Sequence, residues 1–460
     1  MSNRVEVHAI NHAIIKKGPD EKKERKVRDR YVSVIVKFWL SQTAALFWVA
    51  LSIFLSRFWV RDLAVITSLP IAILIITGIA YIPGYLTAMM VLSLLLDRQP
   101  RLKNLRPTQK VTILIAARNE EKRIHETLRY ISEQDYEGVI KVVVVDNNST
   151  DDTIEKAKKT GRELNLLVRV IKEKEVGKFN ALNTGLKMIN TDLMITLDAD
   201  TLLHKSAVRF LVARMLSAPD EVCAVAGGVL VRNSRENLLT KLQEWDYFLS
   251  IASIKRLQGL YQGCLVAQGA FSLYKTQAVR DVGGWPNAIG EDIVLTWNLL
   301  KKNRKVYYEP TAISFTEVPN TLKHLVRQRS RWARGMIEAL KKTKPWQQPN
   351  IYLKYLTGVD LVLPYLDFVF TFFWLPGLVL AFFGIYWIVG PMTLFVLPLT
   401  FASYLLLFKY QRQNFMKLDL RIRRNYLGFF LFILGYQILM SPISVWGYFQ
   451  EIFGLDRIWS

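Results

Sequence analysis

Two aspartates one residue apart, Asp198 and Asp200, close the run DLMITLDAD. Hard divalent cations such as Mg²⁺ take one or two protein carboxylates and fill their other positions with phosphate oxygens and water. One carboxylate on a metal and the other near a ribose or sugar hydroxyl is therefore chemistry this spacing permits. A helix N-cap followed by a solvated loop acid is the bland reading of the same pair. Lys178, in GKFNALNTG, stands before a helix-compatible segment, suited to a phosphate or simply to the surface. Glu291 and Asp292 begin the apolar stretch of GEDIVLT. A carboxylate there can take a proton from an attacking hydroxyl as general base, or complement a helix dipole. LVRQRSRWARG places Gln328, Arg331 and Trp332 on a basic amphipathic helix. The Arg suits a diphosphate and the Trp suits a sugar ring; the same helix could also lie on anionic lipid with its Trp at headgroup level.

These groups need a scaffold. VTILIAARNE from Val111, KVVVVDNNSTDDT from Lys141 and DLMITLDAD from Asp192 each read as a buried strand leading into polar residues. Amphipathic stretches lie between them, the first expected as a helix over 121–133. Strand–helix alternation with polar residues at the carboxyl ends describes an open α/β sheet, where ligands bind at those ends. Asp146, with Asn147, Asn148 and Ser149, occupies one such end. Neither GxGxxG nor GxxxxGK[ST] occurs, which disfavours a dinucleotide or P-loop nucleotide fold.

The chain has 460 residues, 51% hydrophobic and 22% charged, with a formal net charge of +22. The two classes are segregated: long apolar runs flank a middle of ordinary charge, from about Pro107 to Pro345. Spans of about 20 apolar residues are expected at 38–56, within 64–96, and at 368–389, 392–408 and 426–449. The 64–96 run, broken at Pro70 and Pro83, is long enough to tilt or kink and continue out of the membrane. Asp360 and Asp367 interrupt the preceding apolar stretch; a carboxylate at bilayer centre costs about 2.5 kcal/mol or more, so residues 350–367 are expected as an interfacial helix. Eight basic residues fall between Lys16 and Arg30, and six, against the single acid Asp419, between Lys409 and Arg424. Two spans separate each basic region from the central domain, so all three share the cytosolic face and the C-terminal tail, 450–460, lies outside. A cleaved signal peptide is disfavoured by the late start of the first apolar run. Apolar flanks make lipid or an anionic substrate a better explanation of the charge than nucleic acid, for which no binding motif is present. Cys223 and Cys264, in no CxxC pair, give no support for a disulfide framework or zinc site.

Taken together and in order, the motifs resemble the membrane-integrated, processive members of glycosyltransferase family 2: cellulose, chitin, hyaluronan and poly-N-acetylglucosamine synthases. Asp146 in VVVVDNNSTD, Lys178 before ALN, Asp198-Ala199-Asp200, Asp292 in GEDIVLT and the QxxRW of Gln328 to Trp332 carry the resemblance, over roughly Pro107 to Pro345. GAFSLYKTQAVRDVGGW followed by GEDIVLTWNLL and RQRSRWARG looks most like bacterial poly-β-1,6-N-acetylglucosamine synthases. The resemblance implies a GT-A-type, Rossmann-like catalytic domain at 107–345, set between two spans at 38–96, behind a basic cytosolic tail at 1–37, and three more at 368–449. It implies a UDP-sugar donor, with N-acetylglucosamine first among sugars, and Mg²⁺ or Mn²⁺. A polysaccharide or lipid acceptor, membrane lipids and an accessory membrane subunit are the further partners it implies.

Position by position, it implies that Asp146 contacts uracil, Asp198 the ribose or diphosphate side, Asp200 the metal, and Asp292 the acceptor hydroxyl as base. Gln328, Arg331 and Trp332 would hold the diphosphate and the acceptor end. Two departures stand out. Many relatives have Asp where Asn147 stands, which leaves open which of Asp146 and Asn147 meets the base. Gly290 replaces the Thr of the family's usual TED. A non-processive enzyme acting on lipid and an inactive sugar-nucleotide-binding subunit are the alternatives; the intact carboxylates and Arg331 weigh against the second.

Overall fold

A computed structural model describes residues 32–455 apart from 98, 392 and 394–396. Most of the 1–37 tail and residues 456–460 lie outside them.

The β-branched runs become the strands β1 Val111–Ala117, β2 Ile140–Asn147, β3 Leu167–Glu173, β4 Leu193–Asp198, β5 Leu202–Leu203, β6 Val222–Val231, β7 Phe271–Lys275 and β8 Lys305–Thr316. They form one mixed sheet, ordered β3-β2-β1-β4-β7-β6-β8-β5. The β3-β2-β1-β4 half is parallel, β7 runs antiparallel to both β4 and β6, and β8 is parallel to β6. Helices cover both faces, which is why the strands read as unbroken apolar runs rather than alternating ones. Ile113, Ile115, Val142 and Val144 pack into one core; Leu114, Val143, Val145 and Met194 pack into the other. The first expected helix is real but shorter, Ile124–Ser132.

Among the described residues, four helices are long and apolar enough to cross a membrane: Val34–Ile66, Leu69–Leu95, Ile351–Phe382 and Tyr426–Ile452. The second contains a five-residue π turn at Thr77–Tyr81, just before Pro83, and the third another at Phe370–Trp374, before Pro376. Proline lacks an N–H and its ring crowds the carbonyl four residues back; widening the turn accommodates both without ending the helix.

The 350–367 segment differs from expectation. It is not a separate helix: the chain is helical from Ile351 to Phe382, so this segment and the expected 368–389 span are one element. One of its two carboxylates has partners on a helix far along the chain. Asp367 accepts hydrogen bonds from Ser441 Oγ at 2.6 Å and Tyr448 OH at 2.8 Å, both on the helix Tyr426–Ile452. Such bonds offset the desolvation that made the position unfavourable. Of the expected 392–408 span, residues 392 and 394–396 fall outside the described set, and the helix Leu397–Lys417 is not among the four membrane-length helices.

The helix Leu322–Lys342 is one place where the central domain meets the membrane-length helices. A Cβ on its Gly335 would lie 2.9 Å from Cα of Gly290, and a Cβ on Gly447 would lie 2.5 Å from the carbonyl oxygen of Ser330. Both contacts require bare backbone. Arg334 and Lys341 also pair with Glu451, at 3.4 and 3.6 Å. Overpacking such a contact costs about 1–3 kcal/mol, so Gly335→Val should lower the melting temperature of the solubilised protein. Gly435→Val, whose Cβ faces open space, should leave that temperature unchanged in the same assay.

Candidate active site

Pairing register sets the site. Across β1, Ala117 pairs with Asp146 of β2 and Ala116 pairs with Asp198 of β4. Both carboxylates therefore leave the sheet at its carboxyl edge, two strand spacings or about 10 Å apart. The loop ahead of β7 reaches the same edge, where Asp198 N donates to the Ala270 carbonyl at 3.3 Å.

Lys178 begins the helix Lys178–Met188. Its Nζ donates to Asp198 Oδ1 at 2.6 Å and lies 3.7 Å from Glu291 Oε1. One ammonium thus ties the tip of β4 to the start of the helix Glu291–Lys301. Burial opposes its charge, but Asp198, Glu291 and Asp292 outweigh that and hold it firmly protonated. Burial pushes the Glu291 acid up to about 7, with Lys178 pulling it down and Asp292 adding to the rise. Asp292 is anchored by the Gly269 amide, which donates to its Oδ2 at 3.2 Å, and by the Ile293 amide on Oδ1 at 2.8 Å. The helix carrying Lys178 is itself seated by Asn183, whose amide both donates to and accepts from the Trp285 backbone, at 2.8 and 2.9 Å.

Asp200 is half-buried, and burial followed by the charge of Asp198 raises its acid to about 6. A third carboxylate, Glu120, lies within electrostatic reach and is raised to about 7 by burial and then Asp200. Arg123 pairs with Glu120 at 3.3 Å and with Glu317 at 3.1 Å. Glu120 went unnoticed in the sequence, although its place three residues beyond β1, at the ligand-bearing end of a parallel strand, was the available signal. Among the described residues no three His, Cys, Asp or Glu side chains converge as a metal site of their own.

Asp146 and Asn147 differ in what their side chains have left to offer. Asn147 accepts from Gly177 N and donates to the Glu175 carbonyl, each at 2.7 Å, so both ends of its amide are engaged in bracing that loop. Gly177 holds φ at +148°, a conformation glycine takes without strain. Asp146 accepts from Ser149 N at 3.3 Å through Oδ2. Its Oδ1 is buried with no partner among the described residues.

Gln328, Arg331 and Trp332 lie on the helix Leu322–Lys342, whose Gly335 touches Gly290 beside Glu291. Arg331 is exposed, and its charge is felt at Glu291. Trp332 is 42% exposed, and Gln328 Oε1 is buried with no partner among the described residues. The Gly290–Gly335 contact also accounts for the missing Thr: any side chain at 290 would meet Gly335 and Ile293. Lys178, Asp198, Glu291 and Asp292 thus gather at one edge with Asp200, while Asp146 and Asn147 flank it across β1.

A mixed sheet of this order with paired carboxylates at its parallel edge is the GT-A-like glycosyltransferase fold. Residues 107–335 match the model described as "Glycosyltransferase like family 2" and form a domain of that family. The poly-beta-1,6-N-acetyl-D-glucosamine synthase of Staphylococcus aureus strain COL is 35% identical over 246 residues, 53% of this chain and 58% of the relative. The enzyme of the same name from Staphylococcus epidermidis strain ATCC 35984 is 31% identical over 269 residues, 56% of this chain and 64% of the relative. These matches thus span less than two thirds of the relatives' length. The fold is shared with a mannosyltransferase of Pyrobaculum calidifontis solved with GDP-Man and Mn²⁺, at TM-score 0.58 and 18% identity, covering 83% of this chain and 99% of that one.

Because Lys178 is the cation holding the Glu291 acid down, its removal favours the protonated carboxyl. In Lys178→Met the Glu291 carboxyl should stay protonated further above neutral pH than in the parent. Infrared spectra with isotope-labelled glutamate should show this as a protonated-carboxyl band that persists to higher pH and is absent from Lys178→Met/Glu291→Gln.

Proposed function

We propose that this chain is a multi-pass membrane enzyme whose cytosolic domain transfers N-acetylglucosamine from a UDP-sugar, with inversion, onto a growing β-linked polysaccharide. The observation that carries the reading is the gathering at one sheet edge of Asp198, Lys178 and Asp292, which is anchored by backbone amides, beside the helix bearing Arg331 and Trp332. Family membership of residues 107–335 and the identity to two polymer synthases support the class of reaction and the sugar. Two membrane-length helices before the domain return the chain to its starting side, and the basic flanks favour the cytosol.

Each side chain then has a task. Asp146, rather than the engaged Asn147, meets the uracil through its unpartnered Oδ1. Asp198 faces the ribose and diphosphate side. Asp292 takes the proton of the acceptor hydroxyl as that oxygen attacks the anomeric carbon, and the nucleoside diphosphate leaves. Lys178 and Arg331 offset the negative charge that builds on the leaving group, an electrostatic role preorganised before the reaction. Gln328 and Trp332 hold the acceptor end.

A divalent cation fits the donor set. Asp198 and Asp200 are hard oxygen ligands at a strand tip, and the acid of Asp200 is raised first by burial and then by the neighbouring Asp198 carboxylate, a charge a divalent cation would offset. Asp200 would hold the Mg²⁺ or Mn²⁺, which when bound supplies charge neutralisation at the diphosphate.

Membrane vesicles given labelled UDP-N-acetylglucosamine and Mg²⁺ or Mn²⁺ should form high-molecular-weight product. A single lipid-soluble labelled product would overturn the polymer reading. Asp292→Asn should keep donor affinity near the parental value and lose transfer by about 10²- to 10⁴-fold, the usual contribution of a general base; near-parental turnover would remove Asp292 from that role.

A further inference from the structure

Arg329 lies inside the QxxRW segment, between the residues given roles above, yet none of that chemistry uses it. It is buried, and its guanidinium donates to Asp246 Oδ2 at 2.8 Å, with 9% and 5% of the two side chains exposed. Asp246 begins the π turn Asp246–Ile251. The same Asp246 oxygen accepts a hydrogen bond from Tyr436 OH at 2.5 Å, on the membrane-length helix Tyr426–Ile452. Arg329 Cζ also sits 4.1 Å from the centroid of the Trp332 ring and 5.6 Å from that of Tyr247. The two rings are 6.4 Å apart and inclined at 55°.

A buried ion pair is no default source of stability, since apolar replacement of both partners is often neutral or better. What this pair does is geometric. Residues three apart share a helix face, and an exposed tryptophan there would otherwise sample several rotamers. A guanidinium against its ring is attracted by the negative face of the π system, which favours one of them. The guanidinium can hold that ring only because Asp246 fixes it in turn, and Asp246 is tied to the membrane helix through Tyr436. Tyr247 is almost wholly buried beside them and lies within electrostatic reach of Asp200 and Arg331, placing the pair of rings next to the candidate site.

We propose that Arg329, held by Asp246 and Tyr436, is a positioning residue that fixes Trp332 against Tyr247 as the aromatic seat of the acceptor sugar. This rests on the reading that Trp332 meets the acceptor. It adds that the seat is set from outside the catalytic domain, by a membrane helix, so that acceptor binding and donor binding are separable.

The test uses the full chain in vesicles with UDP-N-acetylglucosamine and a short β-1,6-linked N-acetylglucosamine oligomer. Arg329→Met should raise KM for the oligomer about tenfold and shorten the product while leaving donor KM within about twofold, since small misplacements of a positioned group are costly. Arg329→Lys, which keeps the charge, should recover most of the loss, and Tyr436→Phe should show a weaker effect in the same direction. Where Arg329→Met fails to fold, Arg329→Met/Asp246→Asn, which leaves no unpaired charge, carries the same expectation. Parental oligomer KM in these variants, or equal rises in both KM values, would overturn the inference. Trp332→Ala separates the two levels. If it raises oligomer KM while the Arg329 variants do not, only the positioning role falls; if it too has no effect, the acceptor reading falls with it.

Discussion

The ammonium of Lys178 sits between Asp198 at the tip of β4 and Glu291 at the start of the helix Glu291–Lys301. Without a cation there, the sheet edge and the helix would present several carboxylates to one another across a partly desolvated gap, and like charges at that distance repel. The lysine makes the arrangement possible, and the surrounding structure is organised to deliver it. Its helix begins at Gly177, whose backbone conformation suits glycine, is braced from β2 by Asn147, and is docked at its middle through Asn183 on the Trp285 backbone. Gly269 completes the fit: a Cβ there would lie 2.9 Å from the lysine nitrogen, and its amide instead donates to Asp292.

The second organising element is the helix Leu322–Lys342, which faces two ways. Toward the domain, Gly335 lies on the backbone of Gly290, and Glu338 accepts from Ile289 N at 2.7 Å, so the helix is registered directly against the segment that leads into Glu291 and Asp292. Toward the membrane, Gly447 lies on Ser330 and Glu451 receives Arg334 and Lys341. Close backbone contact is unforgiving because packed interiors have no slack to absorb a displaced helix. A shift of the helix Tyr426–Ile452 would therefore be felt at Ser330, next to Arg331 and Trp332.

Much of the site was legible beforehand. Asp146, Asp198, Asp200 and Asp292 stand at strand ends or at a helix start, positions that short-range pattern reveals, because strand period and helix capping are local properties. The buried runs likewise announced an open α/β sheet. The sequence could not show that Asn147 is engaged by the 175–177 backbone while Asp146 keeps a buried oxygen without a partner, since the two are neighbours of nearly equal size. Nor could it show Glu120 joining Asp198 and Asp200, or Arg329 lying against Trp332 through an aspartate more than eighty positions earlier.

The membrane segments draw the same line. Length and apolarity alone located the helices Val34–Ile66, Leu69–Leu95 and Tyr426–Ile452, because the thickness of a bilayer is a fixed requirement that composition must meet. They did not show that 350–367 runs on without a break into the next apolar stretch, or that hydroxyls of another helix, Ser441 and Tyr448, reach Asp367. By itself the sequence determined the class of fold and the family of chemistry and nominated candidate residues for it, all of which follow from local pattern and residue type. Tertiary structure alone decided which of those residues share a charge, which are already engaged and which helix packs on a membrane-length helix, because those depend on distances between segments far apart in the chain.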